Sequence, residues 1–524
     1  MNKEKSFNLV RTILNSLIFH SQSLEQRVDT LNQILATGEV TREELSHLIN
    51  ESIQAKTRGI KTPPLNDFRF IEKLDYNGFL NFVTRGEIKG KDLINLCNTS
   101  RKLNEYCNKA LVLPNGQILN QYLFRLLLDK MKVTVFPGQN PREIYKQRSV
   151  GGRVYSFGNN DHGELGLGGK ESKIEESNSD EDSENSDEES DSEESDYKSI
   201  PTPISDLNNI VAISAGKEYS LILDSQGRVW GFGNNLHGGL GLGDQNTRLI
   251  PTLIPNLENI IAISAGTAHS LVLDNRGRVW SFGFNGNGQL GLGDDGRRLI
   301  PTLIPNLAPI AAISARGSHS LILDNQRKVW SFGYGGWGDL GLGDQNTRLI
   351  PTLIPNLENI IAISAGRRHS LVLDNHGRVW SFGNNENGQL GLGDTRIRLM
   401  PTLIPNLENI VAIATGNNYS LALNNRGRVL GFGCNEFGAL GLGIIQEVTT
   451  PRLLGNIIDI VAISCGTYHS LVLDNKGRVW SSGNNLYGQL GLGNGEYKRT
   501  PTLIPNLENV IAISAGESHS LVLK

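Results

Sequence analysis

Cysteine is scarce in this chain: Cys97, Cys107, Cys434 and Cys465 are the only four in 524 residues. None forms a CxxC pair or stands near histidine at metal-ligand spacing, which argues against a zinc knuckle, a bound metal or a disulfide framework. Free thiols fit a reducing compartment and predict an intracellular protein, cytoplasmic or nuclear. Long apolar runs are missing as well, and none approaches the ~18 residues of a membrane span. The opening MNKEKSFNLVRTILNSLIFH is broken by Arg11 and Asn15 and lacks the uninterrupted apolar stretch of a signal peptide. No membrane contact is expected.

Excess charge of one sign is absent overall, with 50 Lys+Arg against 54 Asp+Glu. The balance hides an uneven distribution. Residues 1–150 carry 22 basic and 15 acidic side chains, residues 170–199 carry 3 and 14, and the remainder carries 25 of each. Nucleic-acid binding through phosphates needs a basic stripe on the main folded unit, so nucleic acid is not the expected partner. The run SNSDEDSENSDEESDSEESD has too little apolar surface to fold, and 169–199 reads as a disordered acidic insert. It serves either as a solvated spacer or as a lure for basic proteins. Ser179, Ser183 and Ser186 precede acidic residues in the pattern that acidophilic kinases use.

Glycine is plentiful, at 59 residues, and falls in fixed places. Pro201, Pro251, Pro301, Pro351, Pro401, Pro451 and Pro501 each open a unit of 50 residues, the last one cut short, and residues 241–266 and 341–366 are identical over 26 positions. Each full unit holds two short apolar runs such as IIAISAG and HSLVLD, then a turn with glycine at its fourth place (Arg327 in the unit from Pro301), then a run such as RVWSFG. PTLI offers a fourth, weaker strand with proline as its first residue. Four strands per ~50 residues, repeated, is a propeller pattern. The last unit stops at HSLVLK, and its missing half stands alone as GRVYSFGNNDHGELGLG at 152–168. The expected fold is mainly β: a seven-bladed β-propeller over 151–524, closed by N- and C-terminal halves of one blade.

ISAGxxHSLVL followed by GRVWSFGxNxxGQLGLG resembles the repeat of the regulator of chromosome condensation family, over 151–168 and 201–524. That resemblance implies a seven-blade ring and, as one activity, guanine-nucleotide exchange on a Ran-type small GTPase. Exchange in that family uses a β-wedge inserted into a blade, whereas the insert here is acidic and serine-rich.

A small α-helical region precedes the ring. Leu24, Val28, Leu31 and Leu35 mark one helix face within 1–60, and Thr41-Arg-Glu-Glu44 is a capping-box signal. A second helical block occupies 66–147. Its stretch from Lys91 to Leu103 is similar to the middle of an F-box, although Leu74-Asp75 stands where Leu-Pro usually opens one. The resemblance implies docking to a Skp-type adaptor through Leu93 and Leu96.

His269, His319, His369, His469 and His519 recur at one repeat position, with Tyr219 and Tyr419 in the remaining units. A catalytic histidine is needed once, so these read as packing and hydrogen-bonding groups. Trp230, Trp280, Trp330, Trp380 and Trp480 read as core, with Tyr155 and Leu430 as substitutes. No nucleophile–base pair stands apart from the repeat, and no catalytic residue, cofactor or metal ligand is assigned. The variable positions of AGxxHS and of the loop after SFG should share one face. They supply the candidate protein-binding residues Tyr334, Trp337, Arg367, Arg368, Phe437, Tyr468 and Tyr487. The expected function is a non-enzymatic interaction platform, with a ubiquitin-ligase substrate receptor as its specific form and nucleotide exchange as the alternative.

Overall fold

The computed structural model describes residues 152–169, 196–455 and 457–524. The helical readings of 1–60 and 66–147, with Leu93 and Leu96, and the body of the acidic insert lie outside the described residues. Among the described residues, twenty-eight strands form seven antiparallel sheets of four. Strands β1 (Val154–Asn159) and β2 (Tyr197–Pro203) come first, followed by β3 (Ile210–Ala215), β4 (Tyr219–Asp224), β5 (Val229–Gly233) and β6 (Arg248–Leu253). The last four make blade 1 in simple up-and-down order. The pattern recurs as β7–β10 over 260–303, β11–β14 over 310–353, β15–β18 over 360–403, β19–β22 over 410–453 and β23–β26 over 460–503, which are blades 2 to 6.

The seventh blade is composite. β27 (Ala512–Ala515) and β28 (His519–Leu523) join β1 and β2 in the order β2-β1-β28-β27. Val154 faces Leu523 and Gly158 faces His519, and the ladder is extended by Arg153 N–H to the Lys524 carbonyl at 2.9 Å. Pairing the two chain segments removes the edges that an open array would present.

The core lies between blades. Leu221, Leu223 and Val229 of blade 1 pack with Ile260, Val272 and Phe282 of blade 2, all nearly or fully buried. Both faces of the second strand of each blade, such as β4 and β8, are covered, which explains an apolar run such as HSLVLD without alternation. A belt of hydrogen bonds crosses the same interfaces. His269 Nε2 meets Ser320 Oγ at 2.9 Å, and His319, His369, His469 and His519 meet Ser370, Ser420, Ser520 and Ser220 at 2.9–3.0 Å. Tyr219 and Tyr419 complete the circle, donating to the carbonyls of His269 and His469 beside Ser270 and Ser470. Ser320 Oγ gives its one proton to the Gln289 carbonyl, so it accepts from His269, which fixes the imidazole as the Nε2–H tautomer. Where tyrosine replaces histidine, the blade carries Gly239 or Ala439 in place of Gln289, leaving room for the larger ring.

Three expectations are corrected. The outer strand begins three residues before proline, as in Arg248–Leu253, and Pro251 falls in a bulge between the Gly233–Arg248 and Gly231–Thr252 pairs, where its missing donor costs nothing. The acidic insert is shorter than 169–199, because Tyr197, Lys198 and Ser199 belong to β2. The tryptophans pack against the interblade core but are half-buried rather than enclosed by it. Trp230 donates from Nε1 to Asp224 and lies under the Arg228 guanidinium, at the far end of the blade from the AGxxHS turn.

Candidate functional site

Both variable loops of each blade emerge on one face of the ring. The backbone N–H after SFG bonds to a carbonyl of the AGxxHS turn: Tyr334 to Ser318, Asn384 to Arg368, Cys434 to Asn418 and Asn484 to Tyr468, at 2.8–2.9 Å. A buried asparagine then shapes the second loop. Asn385 Oδ1 accepts from Leu390 N–H and its Nδ2 donates to the Asp394 carbonyl, and Asn235, Asn285 and Asn485 do the same in their blades. With this scaffold held constant, the side chains between its anchors are free to differ.

Blade 3 abandons the anchor. Gly335 replaces asparagine there, packed so closely on the Asn346 carbonyl that no Cβ would fit. Its loop displays Tyr334, exposed, and Trp337, half-buried. Arg368 of blade 4 stacks over the Trp337 ring at 4.7 Å, and Arg367 beside it reaches Asn417 Oδ1 of blade 5 at 3.4 Å. Under this pair, burial pushes the Asp339 carboxyl up to about 7, beside His319 Nδ1 at 3.5 Å. Burial also drives His319 down to about 4, so the proton in this pair resides on Asp339 at mildly acidic pH.

Blades 5 and 6 form the second cluster. Phe437 meets Tyr468 edge-on at 4.9 Å and Tyr497 at 5.8 Å. A small crevice opens beside it, lined by Asn418, Cys434, Phe437, Ala439 and Tyr468. It opens where Ala439 is small, the two neighbouring blades carrying Gln389 and Gln489 at that place and Asn384 and Asn484 where blade 5 has Cys434. The next loop of blade 5 lacks the Asp–Arg pair seen as Asp394–Arg398, and exposes Ile444 instead.

The central lumen is crossed by Arg316. It stands where six units have glycine, and its Nη1 donates to the carbonyls of Thr415 at 3.2 Å and Cys465 at 2.5 Å, two and three blades away. Around the mouth, Lys217 pairs with Glu218 at 2.7 Å and approaches Glu517 at 3.8 Å, while burial raises the Glu517 carboxyl.

The structure therefore brings Trp337 to Arg368, and Phe437 to Tyr468. Tyr334 and Arg367 flank the first pair, while Tyr487, half-buried, makes no ring contact with Phe437 or Tyr468. Sequence reasoning missed Tyr497, the crevice and Arg316. The break from glycine at Arg316 was a visible signal; the crevice shows only when small residues are compared across blades.

Comparison with known proteins fits this geometry. Human WBSCR16 superposes with a TM-score of 0.61 at 22% identity, over 71% of this chain and 98% of that one. Yeast RCC1 (Prp20), solved with Kap60, gives 0.61 at 22% identity over 71% and 88%. Prp20p from Saccharomyces cerevisiae, solved with an account of its binding to Gsp1p and histones, gives 0.61 at 21% identity over 72% and 94%. Identities this low speak for the fold alone. The sequence profile of the RCC1-like domain, however, matches residues 148–367 and 354–524, the whole of the ring, and the chain belongs to the RCC1-like domain family.

Proposed function

We propose that this protein is a non-enzymatic platform that binds a protein partner on the loop face of its propeller. The observation that carries this reading is where the blades differ. The histidine–serine belt and the interblade core repeat around the ring, while Gly335, Arg367, Arg368, Cys434 and Ala439 break the pattern and gather on adjoining blades of one face. Arginine and aromatic side chains are the types that dominate binding energy at interfaces. The F-box resemblance extends the reading to a ubiquitin-ligase substrate receptor, with Leu93 and Leu96 holding a Skp-type adaptor while the ring holds the substrate.

The test uses the full chain as bait, with cross-linking in cell extract, beside a Tyr334→Ala/Trp337→Ala/Tyr468→Ala variant. A partner captured by the parent and lost by a variant with the same melting curve supports the platform. Equal capture by both refutes it. In parallel, Leu93→Asp and Leu96→Asp should each abolish binding to a purified Skp-type adaptor, since a carboxylate in an apolar contact lacks a partner. Absence of adaptor binding by the parent removes the ligase role and leaves the platform standing. Nucleotide exchange is weighed against by the composition of the insert between Gly169 and Asp196, acidic and serine-rich rather than strand-forming. Release of nucleotide from a Ran-type GTPase by catalytic amounts of the chain would restore it.

A further inference from the structure

We infer that the arc from blade 3 to blade 6 on the loop face binds an extended protein segment that carries carboxylates at one end and an apolar anchor at the other. This rests on the loop face being the docking face and assigns the chemistry of what docks there.

The two ends of the arc differ in kind. At the first, Arg367 and Arg368 form no ion pair among the described residues. Most arginines that recur in the repeat behave otherwise: Arg228, Arg278, Arg378 and Arg478, and Arg248, Arg298, Arg348 and Arg398, hold a carboxylate at 2.6–2.7 Å, whereas Arg428 stands opposite Asn424 and does not. The adjacent pair Arg367-Arg368 occurs in one blade only, where Trp337 flattens one guanidinium and Asn417 steers the other. Stacking leaves the guanidinium edge open, and that edge takes a carboxylate in two parallel hydrogen bonds.

At the second end the crevice beside Phe437 and Tyr468 is floored by small residues, and Tyr497 packs on Phe437 to extend its apolar rim. Glu436 also lines it and repels a carboxylate, so the acidic residues of a ligand belong at the arginine end, and its apolar side chain lies against the Phe437–Tyr468 rim, the crevice itself having room for about one water. The ends are contiguous. Arg367 touches Asn417, and Asn418, the next residue, lines the crevice. A protein segment fits better than a nucleic acid, because the ring is charge-balanced and eight of its arginines, Arg348 and Arg398 among them, are already paired with a carboxylate.

The experiment is selection of a displayed library of random linear peptides on the full chain. Winners are then measured by fluorescence polarisation against the parent, Arg367→Glu/Arg368→Glu and Phe437→Ala. The expected winners combine clustered Asp or Glu with one aromatic or large aliphatic residue, bind at least tenfold more weakly to either variant, and weaken with added salt in the parent. Melting curves and the milder Arg367→Gln/Arg368→Gln variant, which should also lose affinity, guard against a folding artefact. Winners rich in Lys or Arg, winners indifferent to the arginine variants, or a single-stranded oligonucleotide that binds tighter at the same arginines would each overturn the assignment. Winners lost on Tyr334→Ala or Tyr487→Ala but not on the arginine variants would overturn it while leaving the platform reading intact.

Discussion

Replacing Glu164 by glutamine should stabilise the ring at neutral pH and leave it unchanged in mild acid. Glu164 occupies the place that Gln289, Gln389 and Gln489 hold in three other blades, and it is 1% exposed. Its Oε2 accepts from His162 N–H at 2.9 Å, as the glutamine Oε1 atoms accept from Asn287, Asn387 and Tyr487 at 2.9–3.0 Å. One oxygen thus acts as an amide carbonyl would, and burial raises the carboxyl pKa from 4.5 to about 8. At pH 7 the unfolded chain carries a carboxylate here and the folded ring a carboxylic acid. Folding must take up a proton across roughly 2.5 pH units, which costs on the order of 3 kcal/mol.

Because the folded pKa is the higher one, that cost is absent below 4.5, grows as pH rises and levels off above about 8. Glutamine carries no such cost. Denaturant unfolding of the full chain followed by tryptophan fluorescence should show Glu164→Gln stabilised by about 3 kcal/mol at pH 7 and nearly unchanged at pH 4.5. An equal gain at both pH values, or none at pH 7, would show that Glu164 is ionised in the folded ring and would refute the reasoning.

Acid should loosen the belt: burial holds four of its histidines near 3 and His319 near 4, so their contribution to stability is constant above about 6.5 and is lost as pH falls from there. Each contributes about 1.4 kcal/mol per pH unit, opposed above pH 4.5 by Glu164 and Asp339, and a melting temperature that stays flat from pH 6.5 to 4 would contradict it. Arg327 sits at φ 64° where other blades have glycine, and its carbonyl is 3.4 Å from Ile360 N against 2.9–3.3 Å at the corresponding glycines. Arg327→Gly should therefore stabilise by ~1 kcal/mol in chemical denaturation, and a loss would mean the side chain is held favourably. Deleting residues 518–524 removes β28 and should cause aggregation or a large drop in melting temperature on light scattering and calorimetry. Parent-like melting would show that closure is dispensable.

The ring was legible because its information is repeated. One hairpin turn is weak evidence, but the same turn at Asp274, Asp374 and Asp474, and the complementary halves ending at Gly168 and beginning at Pro501, leave a closed propeller as the consistent reading. The proline position was misread because β-pairing can resume across a bulge, which a propensity argument at Pro251 does not register. Trp230 was misread because an indole can be large, recurrent and still spend one edge on Asp224 near solvent. The loop face could be chosen from strand alternation alone. Which of its side chains meet could not, since Arg368 and Trp337 come from different blades and Phe437 finds Tyr497 sixty residues on.

Arg316 has a consequence for how many blades the ring can hold. The belt, the core and the closing blade would all work in a circle with one unit more or fewer, and near-identical units invite such a change in register. The guanidinium does not tolerate it. Its reach is fixed by a single side chain, and its two acceptors, on Thr415 and Cys465, lie across the lumen at positions set by the diameter. A narrower circle would crowd the arginine against them, and a wider one would strand its charge in the opening. Six units of the repeat are indifferent to number; the seventh carries the gauge.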